Sequence, residues 1–123
     1  VARKHYEPSE QSLEYSVTKY STKEVKNTAI YKGAFQHSVT KDGRTLNPKP
    51  SQIIFNHSPT GFSWGYSGSG PAQLALALLL DATGNPEKAA ILHQEFKRDV
   101  VATWNDQWEI TTEQILEWVK KNE

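Results

Sequence analysis

Residues 56–80 read NHSPTGFSWGYSGSGPAQLALALLL, a turn-rich, aromatic, glycine-rich loop joined directly to the most hydrophobic run in the chain. Leu74 to Leu80 are all Leu or Ala. A helix that is apolar on every side belongs at the centre of a domain, where other elements cover all its faces. Pro71 suits the first helical position, because its missing N–H has no partner to lose there. The sequence therefore predicts a central helix starting at Pro71, capped by Ser69 or Gly70, with Gly65, Gly68 and Gly70 easing the backbone into it.

Working outward, the N-terminal side is strand-like. Leu13, Tyr15 and Val17 alternate with polar residues, the period-two pattern of a half-buried strand. Residues 1–11 (VARKHYEPSEQ) are polar and aperiodic and read as a flexible arm, so that 12–123 form the single folded domain. Lys19 to Asn27 reads as a solvated connector. Ala29 to Val39 is aromatic and β-branched, with Gly33 marking a bulge or a close approach. Asp42-Gly43 between Val39-Thr40-Lys41 and Arg44-Thr45-Leu46 predicts a two-residue hairpin turn. Pro48 and Pro50 end that strand. Gln52 to Asn56 reads as a short buried strand, and Phe62-Ser63-Trp64 as another.

The C-terminal side is helical. Gly84 closes the central helix, Asn85 caps the next and Pro86 opens it. Ala89, Leu92, Phe96 and Val100 then give one inward face to a helix reaching about Thr103. Trp104 to Ile110 reads as a loop. A last helix starts near Thr111 or Thr112 and buries Ile115, Leu116 and Val119. Strands first and helices after imply an α+β fold: a small antiparallel sheet packed on three helices around the central apolar one.

Composition narrows the function classes. The 123 residues carry 14 basic and 14 acidic side chains, which argues against a dedicated duplex-DNA binder and leaves room only for a local basic patch. Cysteine is absent, which removes disulfides, thiolate nucleophiles and cysteine-ligated zinc. No apolar run spans a bilayer and the N-terminus lacks a signal-peptide core, so no membrane association is expected and the location is read as cytoplasmic. The chain starts at Val1, which reads as a trimmed or processed portion. A homodimer is the expected assembly, as is common for small domains.

The loop is the candidate site. Backbone N–H groups at a helix N-terminus, reinforced by the helix dipole, bind anions. Ser67, Gly68, Ser69, Gly70 and the N–H groups of Ala72 and Gln73 are the expected cradle for a phosphate or carboxylate. The P-loop pattern fails at Pro71 and the dinucleotide fingerprint fails at Gln73. Phe62, Trp64 and Tyr66 alternate, so Trp64 and Tyr66 are candidates to stack on a flat ring, as a nucleotide-like ligand requires. His57, Ser58 and Gln73 are candidate hydrogen-bonding groups, and Arg44 a candidate cation. The competing reading is structural: glycines that let loop and helix pack closely, aromatics that seal the core, and a His57 that fixes its turn. No catalytic group is assigned, since the hydrolase elbow fails at Ser69 and nothing supplies an acidic partner to His57. A hydrolase using His57 with Ser58 or Ser67 is the weakest reading. His5, His37, His57 and His93 are scattered, the cysteines that would complete His93-Gln94-Glu95 as a deaminase motif do not exist, and neither a metal nor a cofactor is expected.

The run HSPTGFSWGYSGSGPAQLALALL resembles the signature HSPTGFxWGYxGSGPAQLALALL of an uncharacterised family of small bacterial and phage proteins. Tyr31-Lys32-Gly33, Asp42-Gly43-Arg44-Thr45-Leu46 and Phe96-Lys97 extend the resemblance over about residues 30–120. Ser67 departs from it, standing where the family has Gly. The resemblance implies a mobile-element setting, in which small proteins counter host defence by binding a nucleotide signal or a host protein. It implies no activity. The expected function is a non-enzymatic binding protein for a nucleotide-like anion, the alternative an interaction module or inhibitor in which the motif is scaffold. In that alternative the working surface is the N-terminal strand or the Trp104/Trp108 loop.

Overall fold

The computed structural model describes residues 28–34 and 37–123. The arm at 1–11, the expected strand at Leu13–Val17 and the connector after it lie outside the described residues. Strands β1 (Ile30–Ala34), β2 (Ser38–Lys41), β3 (Arg44–Thr45) and β4 (Trp108–Thr111) form one antiparallel sheet in the order β3-β2-β1-β4. Helices α1 (Lys49–Ile54), α2 (Ser69–Thr83), α3 (Pro86–Asp99) and α4 (Thr112–Asn122) supply the rest, with a 3₁₀ turn at Val101–Thr103. This is the α+β fold expected from the sequence.

The expected central helix is α2. Gly70 through Leu79 are all buried, and α1, α3, α4 and the 3₁₀ turn all pack against it. It begins two residues before Pro71, with Gly68 at the N-cap and no side-chain cap, and it ends as read, with Gly84 left-handed at φ 65°. Asn85 caps α3 through its side chain, accepting from the Lys88 N–H at 3.0 Å. The buried face of the sheet (Tyr31, Val39, Trp108 and Ile110) joins the same core as the leucines of α2. Tyr31 ties the two together, its phenol donating at 2.5 Å to Asp81 on α2, which Lys41 also pairs at 2.9 Å. On the outer face Lys32 stands opposite Glu109, a favourable cross-strand charge pair.

The hairpin turn is as expected: Asp42 and Gly43 take φ values of 52° and 84°. The close approach at Gly33 is real. Its register partner is Trp108, and a Cβ there would fall 2.1 Å from the indole Nε1. Three local expectations are corrected. Gln52–Asn56 is no strand: Pro50 sits in the first turn of α1, Asn47 Oδ1 takes up the Lys49 N–H at 3.0 Å, and Ile53 is 81% exposed. Phe62–Trp64 is irregular rather than extended pairing. The expected loop at Trp104–Ile110 contains β4, which closes the sheet against β1 with Tyr31 opposite Ile110.

Candidate functional site

The turn before α2 is held by one side chain. Gln73 is completely buried, and both ends of its amide are in use. Its oxygen accepts the N–H of His57 at 2.7 Å and of Ser58 at 2.9 Å. Its nitrogen donates to Ser51 Oγ at 2.9 Å and to the Phe55 carbonyl at 3.1 Å. Gln52 adds a fifth tether, donating to the Ser58 carbonyl at 2.8 Å. Gln73 therefore positions the loop and has no group left for a ligand, which corrects its expected role.

The glycines are packing requirements as well. A Cβ on Gly70 would lie 1.9 Å from Ser63 Oγ, and one on Gly68 would lie 2.5 Å from the Tyr66 ring. Loop and helix thus approach at these two points as closely as backbone allows. Tyr66 covers Gly68, shares a 2.9 Å hydrogen bond with Ser63 Oγ, and stays 53% exposed. Gly65 is left-handed, at φ 86°.

A cleft of about 540 Å³ opens where this loop meets the sheet. Ser58, Ser63, Tyr66, Ser69 and Gly70 line one side of it, and Ser38, Val39, Thr45 and Leu46 from the hairpin line the other. Its size is that of a small-molecule site. Of the expected site residues the fold brings Ser58, Tyr66, Ser69 and Gly70 together here, while Ser67 is exposed outside the lining and Gly68 sits beneath Tyr66. The expected cradle is narrower than read, because Pro71 has no N–H and that of Ala72 donates to the Gly68 carbonyl at 3.0 Å. The N–H of Gln73 lies inside the helix, where the residue four back takes it up. Only Ser69 and Gly70 remain at the helix start.

Three expected residues fall elsewhere. Trp64 is 7% exposed, donates to the Asn105 carbonyl at 2.8 Å and packs edge-on against Trp108, so its ring is core rather than a stacking platform. Arg44 is exposed in a separate hollow beside the hairpin, with Lys41 and Asp42. His57 turns away from the cleft: its ring stacks on Phe55 at 4.4 Å, and its Nε2 meets His93 Nε2 at 2.9 Å. Burial holds both imidazoles below the ordinary histidine range, for His57 with added repulsion from His93 and Lys97. In His93 the Ala90 carbonyl, accepting from Nδ1, works against that lowering.

Sequence reasoning missed the hairpin wall of the cleft and the partnership of His93. Nothing local signals either. Thr45 and Leu46 read as hairpin residues, and His93 as one more helical histidine. Among the described residues no helix is long and apolar enough to cross a membrane, and no group of three or more His, Asp or Glu gathers as a metal site.

No curated protein and no solved structure matches the chain. Residues 31–121 match the family described as "Family of unknown function (DUF6166)", so the chain belongs to that family.

Proposed function

We propose that this is a non-enzymatic binding protein whose cleft between the β2–β3 hairpin and the start of α2 takes a small anionic, nucleotide-like ligand. One observation carries the reading: an open cleft of small-molecule size has the N-terminus of a buried helix in its wall, next to a half-exposed tyrosine ring. In this reading the N–H groups of Ser69 and Gly70 with the Ser69 hydroxyl meet the anion, the positive end of the helix dipole favours it, and Tyr66 stacks on the base. Among the described residues no lysine or arginine lines the cleft. The favoured ligand therefore carries one phosphate or carboxylate rather than a polyphosphate chain. A mobile-element, counter-defence role, suggested by the sequence resemblance, fits a protein that sequesters such a signal.

Native mass spectrometry of the purified chain with linear and cyclic nucleotides tests this directly and reports oligomeric state in the same spectrum. A retained or added mononucleotide mass, lost in Tyr66→Ala with the circular dichroism unchanged, is the expected result. A bare protein mass across the panel overturns it.

The alternative, an interaction module or inhibitor, is favoured by a different observation. Ile53 on α1 and Phe55 just after it are 81% and 55% exposed, and Ile91 on α3 is 56% exposed. Single exposed apolar side chains are ordinary on a monomer, so this reading leans on Ile53 and Phe55, two exposed side chains set close together at the end of α1. The Trp104/Trp108 loop does not supply that surface, because the two rings stack on each other at 4.1 Å and Trp108 is buried.

A further inference from the structure

His57 and His93 are 36 residues apart in sequence and meet through their Nε2 atoms at 2.9 Å. Each ring is held by something other than its partner. His93 Nδ1 donates to the Ala90 carbonyl at 2.7 Å, which leaves Nε2 as its lone-pair nitrogen. His57 lies flat on the Phe55 ring, 4° from parallel, and its backbone N–H is fixed by Gln73.

We propose that this pair is a two-imidazole site for a late first-row divalent cation, copper(II) or nickel(II), with His57 Nε2 and His93 Nε2 as adjacent ligands. Two nitrogens each about 2.0–2.1 Å from one ion stand about 2.9 Å apart at a right angle, and about 3.4 Å apart at a tetrahedral one. The observed 2.9 Å is that of an N–H···N hydrogen bond, with the rings nearly end to end and their centroids 5.0 Å apart, and it brings both nitrogens within the span of one ion. Copper(II) and nickel(II) are named because imidazole suits them and they bind nitrogen sites most strongly among the divalent first-row ions. The bond from His93 Nδ1 to a backbone carbonyl is the outer contact by which metal-binding histidines are usually oriented. The Gln94 side-chain nitrogen, 3.5 Å from His93 Nε2, is a donor and no ligand, so water completes the sphere.

On binding, the hydrogen now lying between the rings gives way to the ion. His57 keeps one proton by carrying it on Nδ1 instead of Nε2, so neither imidazole changes charge. Each ring swings off the line joining them to aim its lone pair at the metal. Lys97 is the charged side chain that acts on both histidines, and it repels a cation. A hard ion held by charge alone is thereby disfavoured, and the ions that imidazole binds most strongly are selected.

The test is calorimetric titration of the full chain with aqueous copper(II) at neutral pH, with electron paramagnetic resonance of the one-equivalent complex. Expected are one tight equivalent per chain and hyperfine structure from two imidazole nitrogens. His57→Gln, a change at a half-exposed position, should keep the fold by circular dichroism and weaken that equivalent roughly a hundredfold, the cost of losing one of two linked contacts. Copper(II) should also raise the melting temperature of the parent chain but not of the variant. His93→Gln repeats the test where it folds; His57→Gln decides alone where it does not. An unchanged equivalent in His57→Gln would place the copper on other histidines and overturn the proposal, as would no binding by the parent.

Discussion

Gln73 places a primary amide where only its four partners reach it, and each of those partners belongs to the turn or to α1. Gln73→Met keeps the volume and strands several buried polar groups, at about 1–3 kcal/mol for each one left without a partner. We expect a loss on the order of 3–5 kcal/mol in urea unfolding. An unchanged midpoint would mean that the turn is held by other means. Gly70→Ala forces a methyl group onto Ser63 and should cost roughly 1–3 kcal/mol, most of it recovered by Ser63→Gly in the same chain. Tyr31 is a third case. Burial and the neighbouring Asp81 push its phenol far above the ordinary value of 10.0. The folded value lies above the unfolded one, so this stabilisation is complete below about pH 10 and fades as pH climbs past it. Tyr31→Phe should flatten the alkaline limb of a stability–pH curve while lowering stability at neutral pH. At this scale the sequence marked a stretch but not the contacts within it. It listed Ser58, Tyr66, Ser69 and Gly70, which line one cleft, together with Gln73 and Trp64, whose polar atoms the fold itself takes up. A side chain's partners across 15 or more positions, such as the Gln73–Ser58 bond, leave no local trace.

Elements were legible where their ends carry chemistry. Asn85-Pro86, Gly84 and Asp42-Gly43 each dictate a backbone angle or a cap, and the structure honours all three. Elements without such punctuation were not. The strand Trp108–Thr111 is four residues long, too short for its alternation of buried and exposed positions to stand out. In α1 the two prolines read as a stop, whereas Pro50 sits in the first turn of a helix that turns Ile53 to water and packs Ile54 against the core. Two predictions belong here. Thr111 caps α4 in a reciprocal pair with Gln114, and Thr111→Ala should cost about 1 kcal/mol. Ile53→Ser should change stability by less than about 0.5 kcal/mol, because the side chain is largely solvated already. A stabilised variant would be the sign of an unfavourable exposure kept for a partner.

The described residues are laced together by a pairing between strands far apart in sequence. β1 at Ile30–Ala34 bonds to β4 at Trp108–Thr111, and Thr112 Oγ1 accepts the Ala29 N–H at 3.0 Å. Tryptophan fluorescence, from Trp64, Trp104, Trp108 and Trp118, should therefore report the same unfolding transition as far-ultraviolet circular dichroism. Two separate midpoints would show that sheet and helices hold independently. The overall class was readable because strand-period and helix-period segments divide along the chain. The return of β4 to the sheet was not, since strand order depends on contacts between distant residues. The helix α2, buried on all sides, has a consequence for synthesis. Its coverings α3 and α4 are translated after it, at roughly 5–20 residues per second. For a few seconds the nascent chain must carry the apolar run Leu74–Leu80 before the helices that cover it have been made.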